Sequence, residues 1–416
     1  METLNTIVRS LLFRIVVAIV LGIVCSWFFP EQLARVFVTF NGLFGNFLKF
    51  FIPVLIFSLI TPAIAGIGKG AGKWLAITTA IAYASTIFAG LIAYGASVAF
   101  YPSMLEGERV MEKVDIDEGA LSAYFSIEMP PPMGVLTALL LAFCIGVGMT
   151  AVKSDTLYSA LRDLERVIMR VIAKFVIPLL PVFIFGVFLS MGMNGNLMIV
   201  LEQFLKVLLL AVVLTVLLLL VQFLIAGTVA GRNPILCFLR MLPAYATALG
   251  TSSSAATIPV TYECVKKNGV APGVAGFAVP LCATIHLAGS MLKIGLFAFA
   301  VVYMAGIEVT APQAIGFILM LGVTMIAAPG VPGGAIMAAV GLLTSMLGFD
   351  ENQVALMIAA YIAIDSFGTA CNVTGDGAIS LVINKLAKGH IDRAALEDNT
   401  DGLEIIEQDV RVSEGA

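Results

Sequence analysis

Charge is what this chain has least of. Only 12% of its 416 residues are Asp, Glu, Lys or Arg, while 60% are apolar and the mean hydropathy is +1.03. Soluble globular domains carry about 25% charged residues. A ball of this size would lack the charge to cover its surface, so lipid must be the solvent for much of it. An excess of positive charge is missing too. Lys and Arg number 23 against 27 Asp and Glu, a net charge of −4, which argues against nucleic acid as a partner. Paired cysteines are also lacking: Cys25, Cys144, Cys237, Cys264, Cys282 and Cys371 stand singly, with neither a disulfide framework nor metal-ligand spacing. What remains is a polytopic membrane protein.

A crossing helix needs about 20 mostly apolar residues. The first candidate, 15–30, follows Arg9 and Arg14 and has no small-x-small cleavage site after it, so it reads as a retained span rather than a signal peptide. Further apolar stretches cover 34–67, 74–101, 133–152, 174–193, 197–229, 239–260, 270–305, 312–349 and 354–383. Lys69/Lys73, Lys153/Arg162/Arg166/Arg170, Arg232/Arg240, Lys266/Lys267 and Lys385/Lys388/Arg393 mark the cytoplasmic side. Six acids at 106–118 (Glu106, Glu108, Glu112, Asp115, Asp117, Glu118) belong on the other side. With the N-terminus inside, six spans return the chain to the cytoplasm by Val229.

Two segments resist a simple crossing. Arg240 and Lys266/Lys267 give both ends of one apolar segment the cytoplasmic signature. It is expected to enter and leave on the same side, with its tip at Gly250-Thr251-Ser252-Ser253-Ser254-Ala255-Ala256. A second tip is expected at Ala327-Ala328-Pro329-Gly330-Val331-Pro332-Gly333-Gly334, where prolines and glycines crowd together. Irregular backbone is tolerated at membrane depth only around a cavity. The units 234–305 and 312–385 begin on opposite sides, and inverted repeats with interrupted helices are a signature of secondary transporters.

The segment 354–383 carries Asp365, Thr369, Asn372 and Asp376 at i, i+4, i+7 and i+11, which predicts one face of a single helix. Carboxylates in an apolar span cost roughly 2.5–3.5 kcal/mol each on insertion scales and mark a functional site. The segment 270–305 carries Thr284, His286, Ser290 and Lys293, and the last three are expected to share a helical face. Lys293 lies too deep to snorkel. It demands an anion, either Asp376, Asp365 or a substrate carboxylate. Glu202 and Lys206 read as a local i, i+4 bridge.

Tip, helix, tip and helix resemble the glutamate transporter family, the dicarboxylate/amino acid:cation symporters. The likeness rests on Thr251-Ser252-Ser253-Ser254 with Pro259, on Val331-Pro332-Gly333, and on Asn372-Val373-Thr374-Gly375-Asp376. It is strong over 240–390 and weaker elsewhere. The resemblance implies an all-α membrane fold of eight transmembrane helices and two re-entrant hairpins in inverted repeats, assembled as a homotrimer. A transport domain (74–101 and 194–390) would slide like an elevator against a scaffold (1–73 and 102–193), with a polar tail at 391–416. Both termini would be cytoplasmic in a bacterial inner membrane, with no enzymatic activity and no cofactor.

By the same resemblance, Asp365 matches the carboxylate that receives a substrate's α-ammonium, and Thr369 and Asn372 match its neighbours. Ser252, Ser253 and Ser254 with Val331, Pro332 and Gly333 would hold the α-carboxylate, near Ser290. Ser85, Thr86, Thr284, His286, Asn372 and Asp376 fall around the cation sites.

The departures are as informative. The family's Asn-Met-Asp-Gly-Thr reads His286-Leu287-Ala288-Gly289-Ser290, and Met325 and Ala328 stand where hydroxyls line another cation site. Sodium coupling in the usual stoichiometry is therefore not expected, and Na+ or H+ stays open as the coupling ion. Gly368 replaces an arginine of acidic-substrate members, and Lys293 an aromatic residue. Lys293 either takes over that arginine's grip on a substrate carboxylate, or replaces a sodium at Asp376. The favoured expectation is an acidic amino acid such as aspartate or glutamate, or another dicarboxylate; the alternative is a small neutral amino acid (serine, threonine or alanine). An intramembrane protease is a remote rival: Gly250-Thr251-Ser252 with His286 faintly resembles a rhomboid pair, but Ser253 stands in place of its second glycine. The aspartyl motif likewise lacks its first glycine at Val373. A channel suits two hairpin gates less well than alternating access does.

Overall fold

The computed structural model describes residues 11–68, 73–105, 121–152, 155–193, 197–328 and 333–387, and every regular element among them is a helix. Helix α1 is Leu11–Cys25, α2 Glu31–Gly68, α3 Lys73–Met104, α4 Val135–Val152 and α5 Asp155–Val171. A π-helical turn, Ile172–Val176, joins α5 to α6 (Ile177–Met193), and α7 is Leu197–Ala230. Then come α8 (Pro234–Arg240), α9 (Leu242–Thr251), α10 (Ser254–Lys267), α11 (Pro272–Ile285) and α12 (Ala288–Met304). The last four are α13 (Ala311–Ile326), α14 (Gly334–Leu347), α15 (Glu351–Ala363) and α16 (Asp365–Ala387).

Five stretches among the described residues are long and apolar enough to cross a membrane: Glu31–Ala65, Lys73–Met104, Asp155–Met193, Val200–Ala230 and Pro272–Met304. A sixth is the bent pair α15 and α16. Length and composition thus give five or six crossings where the sequence suggests eight. Helices α1 and α4 are also apolar, over 15 and 18 residues.

Helices α1, α2, α4, α5 and α6 pack on one another, and α3 with α7–α16 form the other packing group. At the centre of the second group lies α12. All of its residues but Tyr303 are buried, and it is flanked by α3, α16, α7 and α15. Where the groups meet, Lys49 of α2 bonds Glu351 of α15 at 2.7 Å.

The first hairpin falls on the expected tip. Helix α9 ends at Thr251, Ser252 turns left-handed at φ 50, and Ser253 caps α10 by accepting the Ala256 N–H at 3.3 Å. A serine in the left-handed region is unfavourable, and it holds the chain reversal that separates the two short helices. The second pair, α13 and α14, also pack together. Of its tip, residues 329–332 (Val331 and Pro332 included) lie outside the described residues, as do the acidic run 106–118 and the tail 391–416. Gly333, at φ +75, begins α14.

Two breaks were not foreseen. Between α11 and α12, His286 (φ −103, ψ 97) and Leu287 (φ −118, ψ 44) leave helical geometry. Between α15 and α16 the chain bends by 61° at Ile364. The single helix expected at 354–383 is therefore two, with the four polar residues all on the second. Each break exposes unpaired carbonyls behind it and unpaired N–H groups ahead of it. Inside an apolar bundle these must find partners, and those partners build the site.

Candidate substrate and ion site

At the α15/α16 break a lysine adds a donor to carbonyls that the start of α16 already uses: Ile364 accepts the N–H groups of Phe367 (3.1 Å) and Gly368 (3.4 Å), and Asp365 accepts the Thr369 hydroxyl (3.1 Å). The Lys293 ammonium, from α12, donates to the Ile364 carbonyl at 2.9 Å and to the Asp365 carbonyl at 3.3 Å. It lies 3.9 Å from Asp365 Oδ1 and 4.3 Å from the Tyr361 ring centroid. A helix C-terminus carries partial negative charge, so a cation is favoured there; the aromatic face adds a further attraction. The site requires Gly368. A Cβ at that position would collide with Lys293 Cε and Nζ, so the glycine provides the space through which the lysine reaches the break.

Asp365 opens α16, where the helix dipole favours a carboxylate. Its Oδ2 accepts the Gly333 N–H at 2.8 Å, which docks the start of α14 on the break. Across the neighbouring break, Asn372 Oδ1 accepts the N–H groups of Gly289 (2.8 Å) and Ser290 (3.3 Å), capping α12 from another helix. Ser290 Oγ receives Asn372 Nδ2 at 3.1 Å and the Tyr361 hydroxyl at 2.9 Å.

The second charged centre lies further along α16. His286 Nδ1 is 2.9 Å from Asp376 Oδ1, and its Nε2 is 3.0 Å from Ser85 Oγ of α3. Gln222 Nε2 of α7 donates to Ser85 Oγ at 2.9 Å. Both members of the pair are about 1% exposed. This corrects two expectations. Lys293 pairs with Asp365 and not with Asp376, whose partner is His286. His286 also does not share a helical stripe with Ser290 and Lys293, because the break turns its ring towards α3 and α16.

The remaining expected residues divide clearly. Thr369 donates to the Asp365 carbonyl at 3.1 Å, within its own helix beside the cluster. Thr86 is buried but donates to Ala82 of α3 at 2.9 Å. Thr284 is exposed and bonded to Leu281 at 2.7 Å, so it is not brought into the cluster. Ser254 is buried and Ser252 and Ser253 half-buried, on helices that pack against α16. Met325 and Ala328 are buried and apolar. Tyr361, Gln222 and Gly375 were missed. Gln222 was detectable as a lone amide in an otherwise apolar stretch of α7; Tyr361 precedes Asp365 by one turn; Gly375 gives no signal until His286 is seen against it.

Paired charges held at interrupted helices, inside a bundle that is otherwise apolar, define a secondary transporter. The chain belongs to the sodium:dicarboxylate symporter family, whose model matches residues 11–386. It is a multi-pass membrane transporter and not an enzyme. It is similar to the serine/threonine transporter SstT of Acinetobacter baumannii (strain AYE), 29% identical over 383 residues, which are 88% of this chain and 94% of that protein. It is also similar to the serine/threonine transporter SstT of Streptococcus suis (strain 05ZYH33), 28% identical over 337 residues, 79% and 93% of the two chains.

Proposed function

We propose that this protein moves small neutral amino acids of the serine and threonine class across a bacterial inner membrane, coupled to a cation. The observation that carries the reading is the state of Lys293. Its ammonium is already held by two carbonyls, Asp365 and the Tyr361 ring. Among the described residues no free cation remains beside Gly368 to grip a side-chain carboxylate. A buried carboxylate without a partner costs several kcal/mol, so an acidic substrate is disfavoured. The names of the two relatives point the same way. The acidic substrate favoured from sequence thus gives way to its alternative.

The substrate lies between the serines of the α9/α10 tip and Gly333, with Asp365 and Thr369 receiving its ammonium. Its arrival draws Asp365 from Lys293, which keeps its two carbonyls. In the working cycle the group α3 with α7–α16 is the moving transport domain. The group α1, α2, α4, α5 and α6 is the scaffold of a homotrimer, both chain ends being cytoplasmic. The two groups pack mainly within themselves, which suits sliding.

Competition against labelled serine uptake in proteoliposomes tests the substrate. Unlabelled serine and threonine should displace the label at concentrations at least about tenfold below aspartate, glutamate and succinate, a difference of about 1.4 kcal/mol. The reverse order would restore Lys293 as a carboxylate grip. In that case K293A should abolish uptake, and adding G368R should recover it.

A further inference from the structure

The segment 391–416 holds eight Asp and Glu against Arg393 and Arg411, a net charge of −6 that exceeds the −4 of the whole chain. The rest of the sequence is therefore net positive. Part of that excess is gathered beside the point where this acidic tail leaves α16.

Long-range contacts bring the basic side chains together there. Near the end of α16, Asn384 accepts the Ala271 N–H at 2.9 Å and donates to the Gly269 carbonyl at 3.4 Å; Lys385 is the next residue. Gly269, at φ +81, follows Lys266 and Lys267 of the last turn of α10. Without a side chain it lets the Arg232 guanidinium lie against its backbone, where a Cβ would come 2.5 Å from Nη2. From α8, Arg240 Nη1 donates to the Lys267 carbonyl at 2.9 Å. Five positive side chains thus surround one turn. Among the described residues one acid answers them: Glu263 pairs with Lys266 at 3.0 Å, while Arg232, Arg240, Lys267 and Lys385 form no ion pair. Arg232, Lys267 and Lys385 are exposed. Uncompensated charge of one sign on a surface attracts the opposite sign.

We propose that this basic turn is a docking surface for the acidic tail of the same chain. Reach is no obstacle. Nine residues, 388–396, can span about 30 Å when extended, and Asn384 already touches Gly269, so Glu397 arrives at Lys267 with slack. Tethering holds the tail at an effective concentration in the millimolar range, an advantage that a diffusing partner lacks. The composition also suits the surface: Leu396, Leu403, Ile405 and Ile406 stand between the acids, and Leu386 is 46% exposed beside Lys385. Docked there, the tail ties the base of the α9/α10 hairpin to the helix that carries Asp365 and Asp376. Anionic lipid headgroups offer the same charge without the tether and are the competing occupant.

Carbodiimide coupling reads the contact, since it joins a carboxylate to an amine only where the two touch. It is applied to the full-length protein in phosphatidylcholine nanodiscs, with the joined peptides quantified by mass spectrometry. In low salt, Lys266 or Lys267 should be joined to Glu397, Asp398, Asp401 or Glu404, the Glu263–Lys266 link serving as internal standard. Raising choline chloride from about 0.1 M to about 1 M shortens the screening length from about 10 Å to about 3 Å. The tail links should then fall about tenfold relative to the standard. R232E should lower them likewise in low salt. E404Q/E407Q/D409N, which leaves the helical bundle untouched, should lower the links from Glu397 and Asp398. Tail links that are absent in low salt, or equal in the wild type and both variants, overturn the proposal. Their loss when anionic phosphatidylglycerol is added assigns the surface to lipid and overturns it too. None of these readouts depends on which substrate the protein moves.

Discussion

The two buried ion pairs are built on opposite plans. Lys293 and Asp365 meet 3.9 Å apart, and each also has a helix end: the lysine sits at the C-terminus of α15, the aspartate at the N-terminus of α16. His286 and Asp376 meet at 2.9 Å, but Asp376 lies in the middle of α16, where the dipole offers nothing. The first pair is weakly joined and well supported. The second is closely joined and depends on its members. A pair with independent supports can open for a ligand, whereas the other can change its charge only by taking up or releasing an ion.

The sharpest way to break this contrast is to remove one partner from each pair. H286A removes the imidazole that Asp376 meets at 2.9 Å and leaves the carboxylate buried. Its thermal unfolding in detergent should report a loss of about 3–5 kcal/mol, the usual cost of stranding a buried charge. The double variant H286A/D376N should recover most of that loss, since no charge is left behind. K293M should cost less, about 2–3 kcal/mol, because the helix end and the Gly333 N–H still favour Asp365 by up to about 2 kcal/mol. If K293M proves the more damaging, the proposed contrast between the pairs is wrong.

Smaller effects sharpen the picture. N372A withdraws the acceptor from two N–H groups at the start of α12, and about 1–3 kcal/mol of stability should go with it. Solvent-exposed pairs set the lower end of the scale. Glu202 and Lys206 form the expected i, i+4 bridge at 3.0 Å, and E202Q should change stability by only about 0.3–0.5 kcal/mol while leaving serine uptake intact.

Much of this was legible in the sequence, and the part that was not has a common cause. Periodicity placed Asp365, Thr369, Asn372 and Asp376 on one helix, and composition placed the first tip at Ser252 and Ser253. Those signals are local. The breaks at His286 and Ile364 carry no proline or glycine at the bend itself; side chains from other helices hold them, Asn372 accepting N–H groups released at the first and Lys293 adding a donor to the Ile364 carbonyl at the second. Asn372 caps α12 across 83 positions of sequence, and Lys293 reaches the Ile364 carbonyl across 71. Helical spacing therefore assigned His286 to the wrong face, and it left Lys293 between two aspartates. Charge counting did establish that each buried aspartate would need a partner. Only the coordinates paired them.

Gly368 restricts the order in which this site can change. The lysine side chain lies where any larger residue at 368 would begin, so the two positions behave as one unit. A lineage that acquired a side chain at 368 first would pass through a crowded intermediate with its ammonium displaced. One that shortened Lys293 first would leave an open recess and an unanswered Asp365. The second path has an exit, because a new cation can enter from 368. Ancestors that differ at these two sites should thus have lost the lysine before they lost the glycine.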